Sequence, residues 1–250
     1  MKFTCSKDIF EYTCASCERF IGKNINLPIL SSFFIETTQS TIVVTATNLE
    51  YAIQISLPAK IYSQGSVCVP ARIITQYIQS IKEETIECEG KQNTLVIKTP
   101  SREGKINGMN PEDFPIIPKI KKTSSYTEAS LPIIEAFGLV LPAVSTSEFK
   151  PELNGVFVSI RQGETLCAAT DTFRLAEKKI KKERGRTEEK KEFILPMKIA
   201  QEIVRVFGEE DQPITFSFGE NQIEITTKQV HIFSRLIEGA FPEYSAIIPK

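Results

Sequence analysis

"GMNPEDFPIIPK" fills residues 108–119 and "GAFPEYSAIIPK" fills residues 239–250. At an offset of 131 residues, Ile106, Gly108, Pro111, Glu112, Ile116, Ile117, Pro118 and Lys119 recur as Ile237, Gly239, Pro242, Glu243, Ile247, Ile248, Pro249 and Lys250. Eight identities in fourteen positions are more than unrelated stretches give, so the chain reads as two copies of one module.

The echo continues upstream. "PILSSFFI" (28–35) answers "PELNGVFV" (151–158), and "ATN" (46–48) answers "ATD" (169–171), both at an offset of 123. The second copy therefore gains length before its closing phrase, and the charged "KKERGRTEEKK" (181–191) is the place for it. After Pro70 come Ile73, Ile74, Tyr77, Ile78 and Ile81; after Pro196 come Ile199, Ala200, Ile203, Val204 and Phe207. Both sets follow the stripe of an amphipathic helix, with proline before the first turn. An earlier pair is read from Phe10, Cys14, Cys17 and Ile21 and from Ile134, Phe137, Leu141 and Val144, with Asp8 and Glu11 as a capping box on the first.

Residues 51–57, 85–89, 93–99, 214–218, 221–226 and 230–237 alternate apolar and polar residues and read as strands with one buried face. The expected fold is α+β: two tandem modules, 1–120 and 121–250, each with two helices packed on antiparallel sheet. The polar stretch 119–126 is the connector.

Composition narrows the function. Charged residues make up 24% of the chain and the net charge is −1, which argues against bulk disorder and against a strongly basic nucleic-acid binder. No run is apolar and long enough to span a membrane, and "MKFTCSKDIF" lacks a signal-peptide core, so a cytoplasmic location is expected. The six cysteines read as reduced core thiols. Cys14 and Cys17 form one CxxC on an apolar stripe, which suits a core better than a zinc site. His231, the only histidine, sits in an alternating strand and has no evident catalytic partner. "EGKIN" (103–107) lacks the glycine and hydroxyl pattern of a phosphate loop, and Glu209, Glu210 and Asp211 read as a solvated acidic turn. Neither a catalytic constellation nor a cofactor or metal site is indicated.

If the helix stripes face inward, the outer faces present Arg72, Gln76 and Gln79 on one helix and Lys198, Gln201 and Arg205 on the other. Such a face is either a solvated surface or a contact for phosphates. Lys98, Arg102 and Lys105 form a further basic edge. The segment 178–191 carries eight basic and three acidic residues and reads as a solvated hairpin with an Arg-Gly-Arg tip.

"LPIL" (27–30), "VPARI" (69–73), "NPEDFP" (110–115), "LNGVF" (153–157), "ATDTFRLA" (169–176), "LPMK" (195–198) and "FPEYSAIIPK" (241–250), in that order and spacing, resemble the bacterial sliding clamp, the β subunit of DNA polymerase III. The resemblance covers the whole chain. It implies a non-catalytic processivity factor whose family forms a homodimeric ring of three-module protomers around duplex DNA. It assigns the two helix faces to DNA and places Lys23 near a basic position of the family. The implied partners are DNA, without sequence preference, the replicative polymerase, the clamp loader and other proteins with a clamp-binding peptide. The implied peptide pocket comprises Leu153, Thr170, Thr172, Phe173, Arg174, Leu175, Pro242 and Ile247.

Only modules one and two are present, and Lys250 coincides with the seam to a third. The expectation is a portion of a longer clamp with half a peptide pocket, which binds weakly and cannot close the family's ring contact with itself. The alternative is a short paralogue that acts as a DNA- or partner-binding scaffold.

Overall fold

The computed structural model describes residues 1–22, 25–118, 120–147, 149–181, 190–208, 211–244 and 248. Lys23, Ile247 and most of the 181–191 insertion lie outside them. The chain divides into two compact units: Met1–Lys119 with Glu224–Phe233, and Ile120–Ile223 with Ser234–Lys250.

In the first unit, β1 (Lys2–Ser6) leads into α1 (Lys7–Cys17). Then follow β2 (Ser32–Thr37), β3 (Thr41–Thr47), β4 (Tyr51–Pro58), β5 (Lys60–Ser63), β6 (Ser66–Pro70) and α2 (Ala71–Gln79). Strands β7 (Thr85–Lys91), β8 (Thr94–Lys98) and β9 (Glu103–Asn107) complete it. One antiparallel sheet runs β5-β1-β7-β8-β9; another contains β4-β3-β2-β6.

The second unit repeats the order. It has β10 (Ser124–Ala129), α3 (Ser130–Val140), β11 (Gly155–Arg161), β12 (Glu164–Thr170), β13 (Leu175–Lys181), β14 (Lys191–Pro196) and α4 (Met197–Val206). Strands β15 (Pro213–Phe218), β16 (Gln222–Thr226) and β17 (Val230–Arg235) follow, with most of β16 and β17 grouped in the first unit. Its four-stranded sheet, β13-β12-β11-β14, matches β4-β3-β2-β6 strand for strand, and β10 pairs with β15. The fold is α+β, and all six stretches read as strands from alternation are strands.

The helix stripes hold with shifts in phase. On α2 the buried residues are Ala71, Ile74, Thr75 and Ile78, followed by Ile81 at 2% exposure. Ile73 is 54% exposed, because it lies one residue, about 100° of helix, from Ile74 at the centre of the buried arc. On α4 the buried arc includes Ile199, Ala200 and Ile203, with Phe207 just beyond, as the spacing predicts, but Val206 takes the covered position and Val204 is half-buried.

On α3 the buried face is Ile133, Ala136, Phe137 and Val140, one step from the predicted Ile134–Leu141 phase. The α-helix ends at Val140 and tightens into a 3₁₀ turn, Leu141–Ala143: Leu141 keeps helical dihedrals (φ −51°, ψ −37°), and Pro142 has no N–H with which to continue the ladder. No capping box forms on α1: Asp8 lies inside the helix, and Lys7 pairs with both Asp8 and Glu11.

All six cysteines are buried free thiols, five in the first unit and Cys167 in the second. Burial pushes the Cys5 and Cys167 thiols up to about 12 and Cys68 to about 11.

Candidate functional site

The exposed side of α2 carries Arg72, Gln76 and Gln79, as the spacing predicts. The equivalent positions on α4, 126 residues on, are Lys198, Glu202 and Arg205. Gln201, expected on this face, is half-buried. Glu202 was not foreseen. It has no exposed surface, yet it sits at the edge of the buried arc, and its Oε1 accepts from Lys198 Nζ at 2.7 Å and from Arg205 at 3.0 Å. The signal was legible in principle, since a carboxylate four residues after one cation and three before another shares their helix face.

Of the other basic candidates, Lys98 and Lys105 do not join this surface. Lys98 and Lys105 project from the face of the β8–β9 sheet opposite Leu95, Ile97 and Ile106, which are buried. Tyr77 of α2 lies against Gly104 on that buried side, so the sheet separates these two lysines from α2. Lys98 pairs with Glu103. Arg102 donates to the Ser80 carbonyl at 3.1 Å, at the C-terminal end of α2, where a cation suits the helix dipole. Ile81, just past the end of α2, is core.

The β12–β13 turn carries four of the pocket candidates. Thr170 Oγ1 donates to the Arg174 carbonyl at 2.7 Å, and Asp171 Oδ1 accepts from the Phe173 and Arg174 amides. Asp171 Oδ2 takes the Arg174 guanidinium at 2.8 and 2.9 Å. The Arg174 amide, then its guanidinium, then the Phe173 amide hold the Asp171 carboxyl down at about 2. Thr172 adopts φ 77° at the tip, and Phe173 is 95% exposed.

Thr170 and Leu175 are cross-strand partners and share the outer face of the sheet with Phe157, Leu166 and Glu177. The segment after β17 lies over that face. Phe241 stacks on Phe157 at 4.9 Å, and Tyr244 meets Phe241 edge-on. The Tyr244 hydroxyl donates to Glu177 at 2.8 Å; burial first, then this bond, pushes its pKa up.

Between segment and sheet runs a groove of about 1000 Å³ with Pro242 on its wall. Burial pushes the Glu192 carboxyl there up, but bonds from Lys190, Ser159 and Arg161 outweigh this and hold it low. Pro242 lines this groove, while Thr170 and Leu175 lie on the same sheet face outside its lining. Leu153, at 1% exposure, is core beneath it and offers no contact surface. Among the described residues no cluster of His, Cys, Asp and Glu is arranged to hold a metal, and no helix is long and apolar enough to cross a membrane.

Two repeated α+β modules with helices on the inner sheet faces define a clamp-type architecture. The family pattern of the DNA polymerase III beta subunit, N-terminal domain, matches residues 1–118, and that of its central domain matches residues 133–243. The chain is 27% identical over 260 residues to the beta sliding clamp of Staphylococcus epidermidis, covering all of this chain and 68% of that protein. It superposes on the sliding clamp of Bacillus subtilis with a TM-score of 0.91 at 25% identity, and on the beta subunit of Thermotoga maritima with 0.88 at 25%. Each comparison covers all of this chain and 68% of the solved one. The chain belongs to the DNA polymerase III beta subunit family, the bacterial sliding clamps.

Proposed function

We propose that this chain serves DNA replication as a sliding clamp, or the two-module portion of one. It acts in the cytoplasm, holds duplex DNA without reading its sequence, and does no chemistry of its own. The observation that carries the DNA reading is the recurrence of a cation at the same place in both modules, exposed Arg72 on α2 and half-buried Lys198 on α4, with exposed Arg205 about two turns further along α4. Cations on such faces meet phosphates and release counterions, so binding falls steeply with salt.

Fluorescence anisotropy on a labelled duplex across a salt series tests this. The R72A/K198A/R205A variant is expected to bind several-fold more weakly with a shallower salt slope, while K98A/K105A, on the outer sheet face, leaves both unchanged. Equal binding by the triple variant and the parent would sink the proposal.

The outer face of the second unit supports a second element. Thr170 and Leu175 on the sheet face, with Pro242 on the wall of the groove beside them, offer a mixed polar and apolar surface for a short linear peptide from the polymerase, the clamp loader or other clamp-binding proteins. Arg174, held by Asp171, is a fixed donor at its rim. Leu175→Asp should abolish capture of a hydrophobic clamp-binding peptide in a titration; unchanged capture assigns the peptide elsewhere. Ring closure belongs to the three-module clamp; the two modules alone are expected to be retained no better on circular than on linear DNA, and preferential retention on circles would overturn that.

A further inference from the structure

The three equivalent positions of α2 and α4 carry different side chains and the same net charge. On α2, Arg72, Gln76 and Gln79 leave a single positive charge. On α4, two cations and one carboxylate leave a single positive charge as well. The carboxylate is no passive neighbour. Glu202 is fully covered, and one of its oxygens is shared between Lys198 and Arg205 at 2.7 and 3.0 Å. Charge-assisted bonds of this length are among the stronger ones, and the enclosed carboxylate is shielded from water that would weaken them.

From this geometry we infer that Glu202 is a positioning residue that limits how strongly α4 holds a DNA phosphate. It draws the two cations toward one point and satisfies part of their charge. A phosphate approaching α4 competes with Glu202 for the same donors. The second module then attracts the duplex no more strongly than the first, which suits a surface that must not stall at any one phosphate. The inference rests on the proposal that α2 and α4 meet DNA.

The test is a salt series of duplex binding by the full chain. Glu202→Gln keeps shape and hydrogen-bonding capacity but removes the charge. It is expected to tighten binding about tenfold at low salt and to steepen the log–log salt slope by about one unit, the value of one more neutralised phosphate. A packing role alone would not move the slope. Adding Arg205→Gln to E202Q restores the net charge and should return the slope to that of the parent.

The reciprocal variant, Gln76→Glu, sits on the exposed face of α2, where folding is not at risk. It should flatten the slope by about one unit, and it decides the matter if E202Q does not fold. An unchanged slope in E202Q or, failing that, in Q76E, with R72A/K198A/R205A still weakened, overturns the inference alone. No weakening in the triple variant removes the DNA reading beneath it.

Discussion

Two pairs of equivalent segments teach opposite lessons. The turn after β3 and the turn after β12 are built the same way. Thr47 and Thr170 each donate across the turn, to the carbonyls of Tyr51 and Arg174. Asn48 and Asp171 each accept from two amides, and Leu49 and Thr172 sit at φ 78° and 77°. The closing phrases, nearly identical in sequence, are used differently. In the first unit Asn110 accepts from the Glu112 amide at the head of a short 3₁₀ turn, Pro111–Asp113, which brings Phe114 onto Phe34 at 5.3 Å. In the second, Phe241 stands in the place of Asn110 and itself stacks on Phe157. The receptor ring keeps its place in the sheet, while the ring that covers it moves four positions along the phrase. Backbone hydrogen bonding preserves a turn through sequence change; an apolar contact needs only some ring of the right size.

The largest effect is expected at the two glycines of the phrase. A Cβ on Gly108 would fall 1.8 Å from the Cys68 carbonyl oxygen, to which Met109 also donates. A Cβ on Gly239 would meet only the Glu152 side chain, tightly at 3.3 Å, but the residue sits at φ 122°. Gly108→Ala should destabilise by about 3 kcal/mol, and Gly239→Ala by about 1–2 kcal/mol, read from urea midpoints. Equal effects would erase the difference between the two closures.

Next come the stacked rings. Phe34→Ala and Phe157→Ala should each cost about 2 kcal/mol, since both rings are half-buried. Double-mutant cycles of Phe34 with Phe114 and Phe157 with Phe241 should each return about 1 kcal/mol of coupling. Coupling in only one pair would show that the other ring contact is incidental.

The smallest effect separates the matched turns by acid. The Asp171 carboxyl, near 2 when folded against about 3.9 unfolded, contributes stability that is complete above pH ~4 and is lost as pH falls toward 2. Asn48 has nothing to titrate. Asp171→Asn should therefore lie below the parent in stability at pH 5, and the gap should narrow between pH 4 and 2. A gap independent of pH would mean the Arg174 contact is not electrostatic.

The repeat, all four helices and six strands were legible because each rests on periodicity, which survives in one sequence. Helix phase was less so: Ile73 and Ile74 are the same residue type, and only the arc set by Ala71 and Ile78 decides which one is covered. Lys98, Arg102 and Lys105 read as one basic edge, but sequence distance does not say which side of a sheet a strand residue takes relative to a helix: Lys98 and Lys105 face away from α2 while Arg102 reaches its C-terminal end. Leu153 matched a family position yet is core. Glu202 is not legible from a pattern of cations, because its meaning lies in what it subtracts from them.

The buried thiols have one more consequence. Each needs both exposure and ionisation before an alkylating reagent can react, and burial denies it both. The first unit carries five such groups and the second carries one. A mass spectrum of chain partly unfolded in the presence of iodoacetamide is thus an address label: a single adduct names the second unit as the one that opened, and a jump of five names the first.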